Sequence, residues 1–172
     1  SVTASSNGSS RPMNKQTPAR LDISVIDRQR RAKISPVKVR GLVRKVLMRE
    51  GIRAGAVSVL FVGDRRMRDL NRTFRGADRA TDVLAFSFRE GEQGGGETNL
   101  LGDVVISVPT AEKQAAREGH ALEAELTILL IHGVLHLAGY DHERSSGEAR
   151  RMRRQETEVL SQIERRPLRG SR

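Results

Sequence analysis

The chain has 172 residues, a length that suits one domain built around a single buried core. Hydrophobic residues make up 37% and charged residues 30%, which excludes a chain disordered throughout, and the lack of cysteine excludes disulfides and thiolate metal sites. The net charge of +10 favours polyanionic partners, nucleic acid first among them, and says nothing about fold.

Residues 1–20, SVTASSNGSSRPMNKQTPAR, are rich in Ser, Asn, Gly and Pro and lack the apolar core of a signal peptide, so they are expected to be a disordered leader outside the fold. No run approaches the roughly 18 apolar residues of a membrane span. With no cysteine to oxidise, a reducing compartment is expected, and therefore a cytoplasmic protein without a membrane partner.

Leu21 to Asp27 alternates apolar and polar residues and predicts a strand. Pro36 opens a helical pattern through Val39, Leu42, Val43, Val46 and Leu47 that stops at Gly51. AVSVLFVG predicts a second strand. DRRMRDLNRTFR predicts a helix with Asp64 as N-cap and Met67, Leu70 and Phe74 on one face. TDVLAFSF and LGDVVISV predict two more strands, paired as a hairpin across the flexible loop EGEQGGGETN. Three helices follow, over Thr110 to Glu118, Ala121 to Ala138 and Ser146 to Ile163, the last opened by a capping box of Ser145 and Glu148. The pattern predicts a single α/β (α+β) domain over 21–165, a mixed four-stranded sheet packed with about five helices. A basic tail over 166–172 follows it.

Basic residues cluster in two zones. Arg28 to Arg53 holds ten Lys/Arg against Glu50 alone, and Arg150 to Arg172 holds eight Arg against three Glu. Solvated helix faces and an RNA-binding surface are both open readings.

The segment IHGVLHLAGYDHE carries three of the four histidines. His132 and His136 are four apart, so a helix puts them on one face, near enough to share one metal ion. Gly139 follows where a helix can end in a left-handed conformation, turning the chain so that His142 approaches the same point. Three imidazoles suit zinc, one ion per chain, and leave a fourth position for water, whose pKa the metal lowers from about 15.7 toward about 7. Two plainer readings stand beside this: histidines satisfied by ordinary hydrogen bonds, and a closed structural zinc site with Asp141 or His120 as fourth ligand. The pattern H-x-x-x-H-x-x-G-x-x-H is similar to the zincin-like metal helix of metzincin proteases, but Gly133 stands where those carry a glutamate base. Glu125, seven residues before His132 on the same helical face, is a candidate partner for the histidines or a base, and equally a candidate surface residue.

HGVLHLAGYDH also resembles the YbeY family of bacterial metal-dependent endoribonucleases. LNRTFRGADRATDVLAF (Leu70 to Phe86), LGDVVIS (Leu101 to Ser107) and Glu125-Leu126 resemble further blocks of that family in the same order, over residues 21 to 163. The departures are Ala80 where Pro is common and Ala85 where Ser is common. The resemblance implies zinc held by His132, His136 and His142, cleavage of single-stranded RNA, and work in ribosomal RNA maturation and ribosome quality control. The partners implied are a ribosomal RNA precursor, the ribosome or its small subunit, and a ribosomal or GTPase adaptor protein. It also implies that Arg75 faces the metal, and Arg75 and His132 are the residues assigned to catalysis. A guanidinium suits that place, because it holds phosphoryl oxygens through two parallel hydrogen bonds. Thr81-Asp82 and Gly102-Asp103 are read as turn residues at strand starts that shape the cleft. With aromatic content of 3%, binding is expected to be led by phosphate, with weak sequence choice and strong salt dependence. The rivals are another zinc hydrolase, such as a metzincin-like protease, and a non-catalytic ribosome-associated protein with a structural metal.

Overall fold

The computed structural model describes residues 20–88 and 100–164. The expected leader up to residue 19, the whole glycine-rich loop and the basic tail lie outside the described residues. In chain order the elements are β1 (Leu21–Asp27), α1 (Pro36–Arg49), β2 (Gly55–Val62), α2 (Asp64–Arg75), β3 (Val83–Ser87), β4 (Leu100–Ser107), α3 (Val108–Glu118), α4 (Leu122–Leu137) and α5 (Ser146–Glu164). The sheet order is β1-β2-β4-β3; β2 pairs in parallel with both β1 and β4, and β3 runs antiparallel on the far side of β4.

Side-chain alternation gives this sheet two unequal faces. Val57, Val59 and Phe61 of β2, Val104 and Ile106 of β4 and Ala85 of β3 point into the main core, which α1, α3, α4 and α5 complete. Val62, Leu84 and Val105 point the other way and are covered by Met67 and Leu70 of α2. α4 is apolar almost all round, as a helix wrapped by neighbours must be. Among the described residues no single helix is long and apolar enough to cross a membrane.

Several local expectations change. The N-cap of α2 is Gly63, not Asp64, and makes no side-chain cap bond. Asp64 sits one residue inside, where its carboxylate accepts from the Ser107 and Thr110 hydroxyls, each at 2.6 Å, and ties α2 to α3. Burial pushes that carboxyl up, but the two hydroxyls and Lys113 outweigh it and hold it below the usual carboxylate range. α3 starts at Val108 rather than Thr110 because Ser107 caps it, with Pro109 in the first turn. Only half of the capping box on α5 forms: Glu148 N–H donates to Ser145 Oγ at 3.1 Å, while Glu148 Oε2 is buried without a partner.

Gly102-Asp103 is not a turn. β4 has already begun at Leu100, and the register against β2 slips beside Ala56 and Val57 as it does at a bulge. A Cβ on Gly102 would lie 2.0 Å from the Phe86 carbonyl oxygen, so only glycine fits.

Gly133 has a packing reason for being glycine. A Cβ there would lie 2.6 Å from Val104 Cγ1, so α4 reaches its depth on the sheet only with a bare backbone at this point. Gly133→Ala is expected to lower stability by about 1–3 kcal/mol through overpacking, read as a lower urea midpoint at unchanged slope. An unchanged midpoint would mean that the contact relaxes freely.

Candidate functional site

α4 and the turn behind it assemble the histidines. The helix closes with Gly139 N–H donating to His136 O and Tyr140 N–H to Leu135 O, both at 3.1 Å, and Gly139 has φ +106. The chain reverses there and carries His142 back over the last turn. Its ring centroid lies 5.2 Å from that of His132 and 6.2 Å from that of His136. Two imidazoles on one tetrahedral ion, with metal–nitrogen bonds of about 2.0–2.1 Å, have centroids roughly 5 Å apart. The first spacing matches that ideal, and the second is wider. Among the described residues no group of three or more imidazoles and carboxylates is already closed to an ion's ligand spacing.

The donor chemistry nevertheless fits a metal. Glu156 on α5 lies 2.5 Å from His132 Nδ1. An ionised carboxylate only accepts, so that nitrogen carries the proton and Nε2 keeps its lone pair free for a ligand bond. His136 Nδ1 is buried with no hydrogen-bond partner, a ring nitrogen the protein does not itself satisfy. Glu156→Ala is expected to weaken metal affinity about 10- to 100-fold, measured with zinc as the probe ion in competition with a chromophoric chelator. Equal affinity would show that this carboxylate does not orient His132.

Glu156 takes the place expected of Glu125. Glu125 is 6% exposed and is instead paired with His120 Nε2, which leaves His120 engaged away from the three rings. Asp141 is occupied too, accepting from Glu143 N–H at 2.9 Å and pairing with Arg144. Neither fourth-ligand alternative gains support from the structure.

The turn is braced from two sides. The Tyr140 hydroxyl donates to Glu50 Oε2 at 3.0 Å and Gln155 Nε2 donates to Glu50 Oε1 at 2.6 Å, joining the end of α1, the turn and α5. Burial, and then Glu50, push the Tyr140 phenol above its ordinary value, so it stays a donor. Arg49 pairs with Glu158 across the same junction at 2.8 Å. The described part of the second basic zone, on α5, therefore meets the C-terminal end of the first. Part of their charge is already paired within the fold, at Arg31–Glu112 and Lys38–Glu123.

Arg75, the last residue of α2, faces the histidines across a cleft of about 600 Å³ that is also lined by Arg79, Asp82 and Glu125. Its Nη1 lies 3.7 Å from Glu143 Oε1, and the same oxygen lies 3.9 Å from His142 Nε2. Glu143 thus stands between the guanidinium and the imidazole. The loop after Arg75 is held by Asn71, which is buried and donates from Nδ2 to Arg79 O at 2.8 Å. Thr81 and Asp82 act as expected at the start of β3: Asp82 Oδ1 accepts from Val83 N–H at 2.8 Å and from the Thr81 hydroxyl at 3.3 Å.

A sequence model of the family described as Endoribonuclease YbeY matches residues 24–164. The chain belongs to the YbeY endoribonuclease family. A YbeY from Geobacter metallireducens is 39% identical over 149 residues, spanning 86% of this chain and 99% of the relative. One from Pelotomaculum thermopropionicum is 50% identical over 123 residues, spanning 70% of this chain and 80% of the relative. The solution structure of TM1509 from Thermotoga maritima superposes with a TM-score of 0.55 at 26% identity, covering 87% of this chain and 99% of that one. YbeY proteins are metal-dependent nucleases, and an imidazole cluster facing an arginine across a cleft offers donors for a metal and for a phosphate.

The sequence could not show Glu156, because its partner lies 24 residues away and the contact exists only once α5 packs on α4. Glu143, Asn71 and the Glu50–Tyr140 bond were missed for the same reason. Each is an ordinary polar residue until the fold gives it a neighbour.

Proposed function

We propose that this chain is a single-strand-specific, zinc-dependent endoribonuclease of the cytoplasm that trims ribosomal RNA precursors and takes part in ribosome quality control. Its substrate is RNA on the ribosome or the small subunit, and a ribosomal or GTPase adaptor protein aims it. The observation that carries this reading is the meeting of His132, His136, His142 and Arg75 across one cleft in a YbeY chain.

The residues divide the work as follows. His132, oriented by Glu156, and His136 and His142 offer three neutral nitrogens, a donor set that suits zinc. Held by these three residues, zinc would supply Lewis acidity toward water and toward phosphoryl oxygens. Arg75, on the opposite wall, holds a non-bridging oxygen of the bond to be cut and stabilises the negative charge that grows on it. Glu143 must yield when a phosphate enters, since like charges cannot share that space. Its hold on Arg75 is a loose contact on an exposed side chain, so release costs little. An unpaired strand can splay to bring one phosphate into a cleft of this size, whereas a duplex holds its phosphates on a rigid cylinder.

Peptide hydrolysis is disfavoured by packing: a glutamate at position 133 would have to occupy the space of Val104. The test is cleavage of single-stranded RNA bearing an immature ribosomal end by protein stripped with a chelator and by protein reloaded with zinc. Cleavage is expected only after reloading, with no turnover of unstructured peptide. Equal cleavage by the stripped protein would overturn the metal-dependent reading.

A further inference from the structure

α2 presents Met67, Leu70 and Phe74 on one face, a pattern that ordinarily buries all three. Met67 is buried, but Phe74 is left 63% exposed at the end of the helix, where the face runs past the edge of the sheet. Its ring meets Phe86 of β3 edge-to-face, with centroids 5.2 Å apart and planes at 63°. Phe88, two residues further along and pointing to the same side, is 51% exposed. The chain has four phenylalanines, and Phe61 is fully buried. The other three phenylalanines, Phe74, Phe86 and Phe88, are therefore all gathered in this one place.

The three rings line a cavity of about 990 Å³, together with Leu60, Leu70 and Asp103. Arg75, His136 and Glu143 line this cavity and the histidine cleft alike, so the two are continuous. Phe74 and Arg75 are consecutive, which puts an aromatic face directly beside the group that would hold a phosphate. Asp103 pairs across the strands with Phe86 and lies half-buried on the cavity floor. The Ser58 hydroxyl gives that carboxylate one hydrogen bond, and an apolar protein side chain seated here would seal its remaining acceptor sites away from water. A nucleobase would not, because its edge carries N–H donors and its face stacks on a ring.

We infer that Phe74, Phe86 and Phe88 form a stacking platform for unpaired bases of the RNA strand beside the bond that is cut. This rests on the nuclease reading above. The low aromatic content is thus concentrated where base contact counts, and substrate choice includes a base term beside the phosphate-led one. Stacking of this kind holds substrate and transition state alike, so it acts on KM more than on kcat.

The test uses the full chain loaded with zinc, with Phe74→Leu and Phe88→Leu combined and the matching Tyr pair as the variant that keeps both rings. Single-stranded RNA carries 2-aminopurine at each position flanking the cut, and the chain has no tryptophan to interfere with its emission. Binding by the unmodified and Tyr proteins is expected to quench the probe, and binding by the Leu pair is not. KM is expected to rise about 5- to 150-fold for each stack lost, with kcat nearly unchanged. An RNA with an abasic position at the quenched site should weaken the unmodified protein by the same factor and the Leu pair no further. If the Leu pair melts early, the abasic RNA with unmodified protein decides alone. Unchanged KM on abasic RNA, or an unquenched probe, overturns the platform and leaves the nuclease reading standing. Failure of the unmodified, zinc-loaded chain to cleave any RNA overturns both.

Discussion

Arg75→Ala is expected to lower kcat for single-stranded RNA about 10²- to 10³-fold while zinc content and melting temperature stay as in the unmodified protein. The guanidinium sits across the cleft from the imidazoles and reaches His142 only through Glu143, so its removal leaves the three proposed ligands in place. The fold loses little, because Arg75 is 39% exposed and its partner Glu143 is an exposed carboxylate that water satisfies. What goes is a forked donor aimed at charge that develops during bond breaking, a deficit that appears in kcat. Arg75→Lys should recover only a small part, since an ammonium is a point charge without the planar fork. Rates within a factor of about two of the unmodified enzyme for Arg75→Ala would remove Arg75 from the chemistry, because a donor to developing charge is worth far more than that.

The fold was legible wherever one face of an element is apolar and the other is not. β1 alternates over Leu21 to Ser24 because one of its faces meets the core and the other meets water, and α1 shows its stripe because one side meets α4 and the other meets water. The two strands around the glycine-rich loop were legible as a hairpin from turn chemistry, although β4 proved to be central, paired with β2 as well as β3. That second pairing is long-range, and nothing local in LGDVVIS announces it. The misplaced cap at Asp64 has a similar cause. A first-turn aspartate looks like a cap in sequence, and only the packing of α3 reveals that its bonds go to Ser107 and Thr110.

The site was legible in its covalently local part. The spacing of His132 and His136 and the hinge at Gly139 are consequences of helix geometry, and the chain reversal that brings in His142 follows from them. The role of Gly133 was half legible: the missing base could be read, but not the approach of Val104 that forbids one. The support of His132 was not legible, because Glu125 shares its helix and Glu156 does not. A carboxylate one face up the same helix is an obvious candidate in sequence, yet Glu125 turned out to be satisfied by His120. Phe74 shows the opposite failure. Its periodicity puts it on one face with Met67 and Leu70, and its exposure is informative only against a continuous cavity.

The second large effect is expected from His136→Ala, which should abolish zinc retention and lower RNA cleavage about 10³-fold or more, to the level of the stripped protein. His136 is a cleaner probe than His132. Removing the His132 ring would leave the Glu156 carboxylate without its partner and confuse a lost ligand with a lost structural bond. Removing His136 strands nothing, because its Nδ1 already lacks a partner. The variant should therefore melt near the temperature of the stripped unmodified protein, the shared loss being the stabilisation that bound zinc confers by mass action. Paired with Arg75→Ala, it separates catalysis from scaffolding. In a zinc nuclease both variants lose cleavage and only His136→Ala loses zinc. In a protein whose metal merely pins the turn, His136→Ala loses zinc and much of its stability, while Arg75→Ala performs in the cell as the unmodified chain does. Zinc retained by His136→Ala, with RNA cleaved at full rate, would overturn the three-histidine site itself.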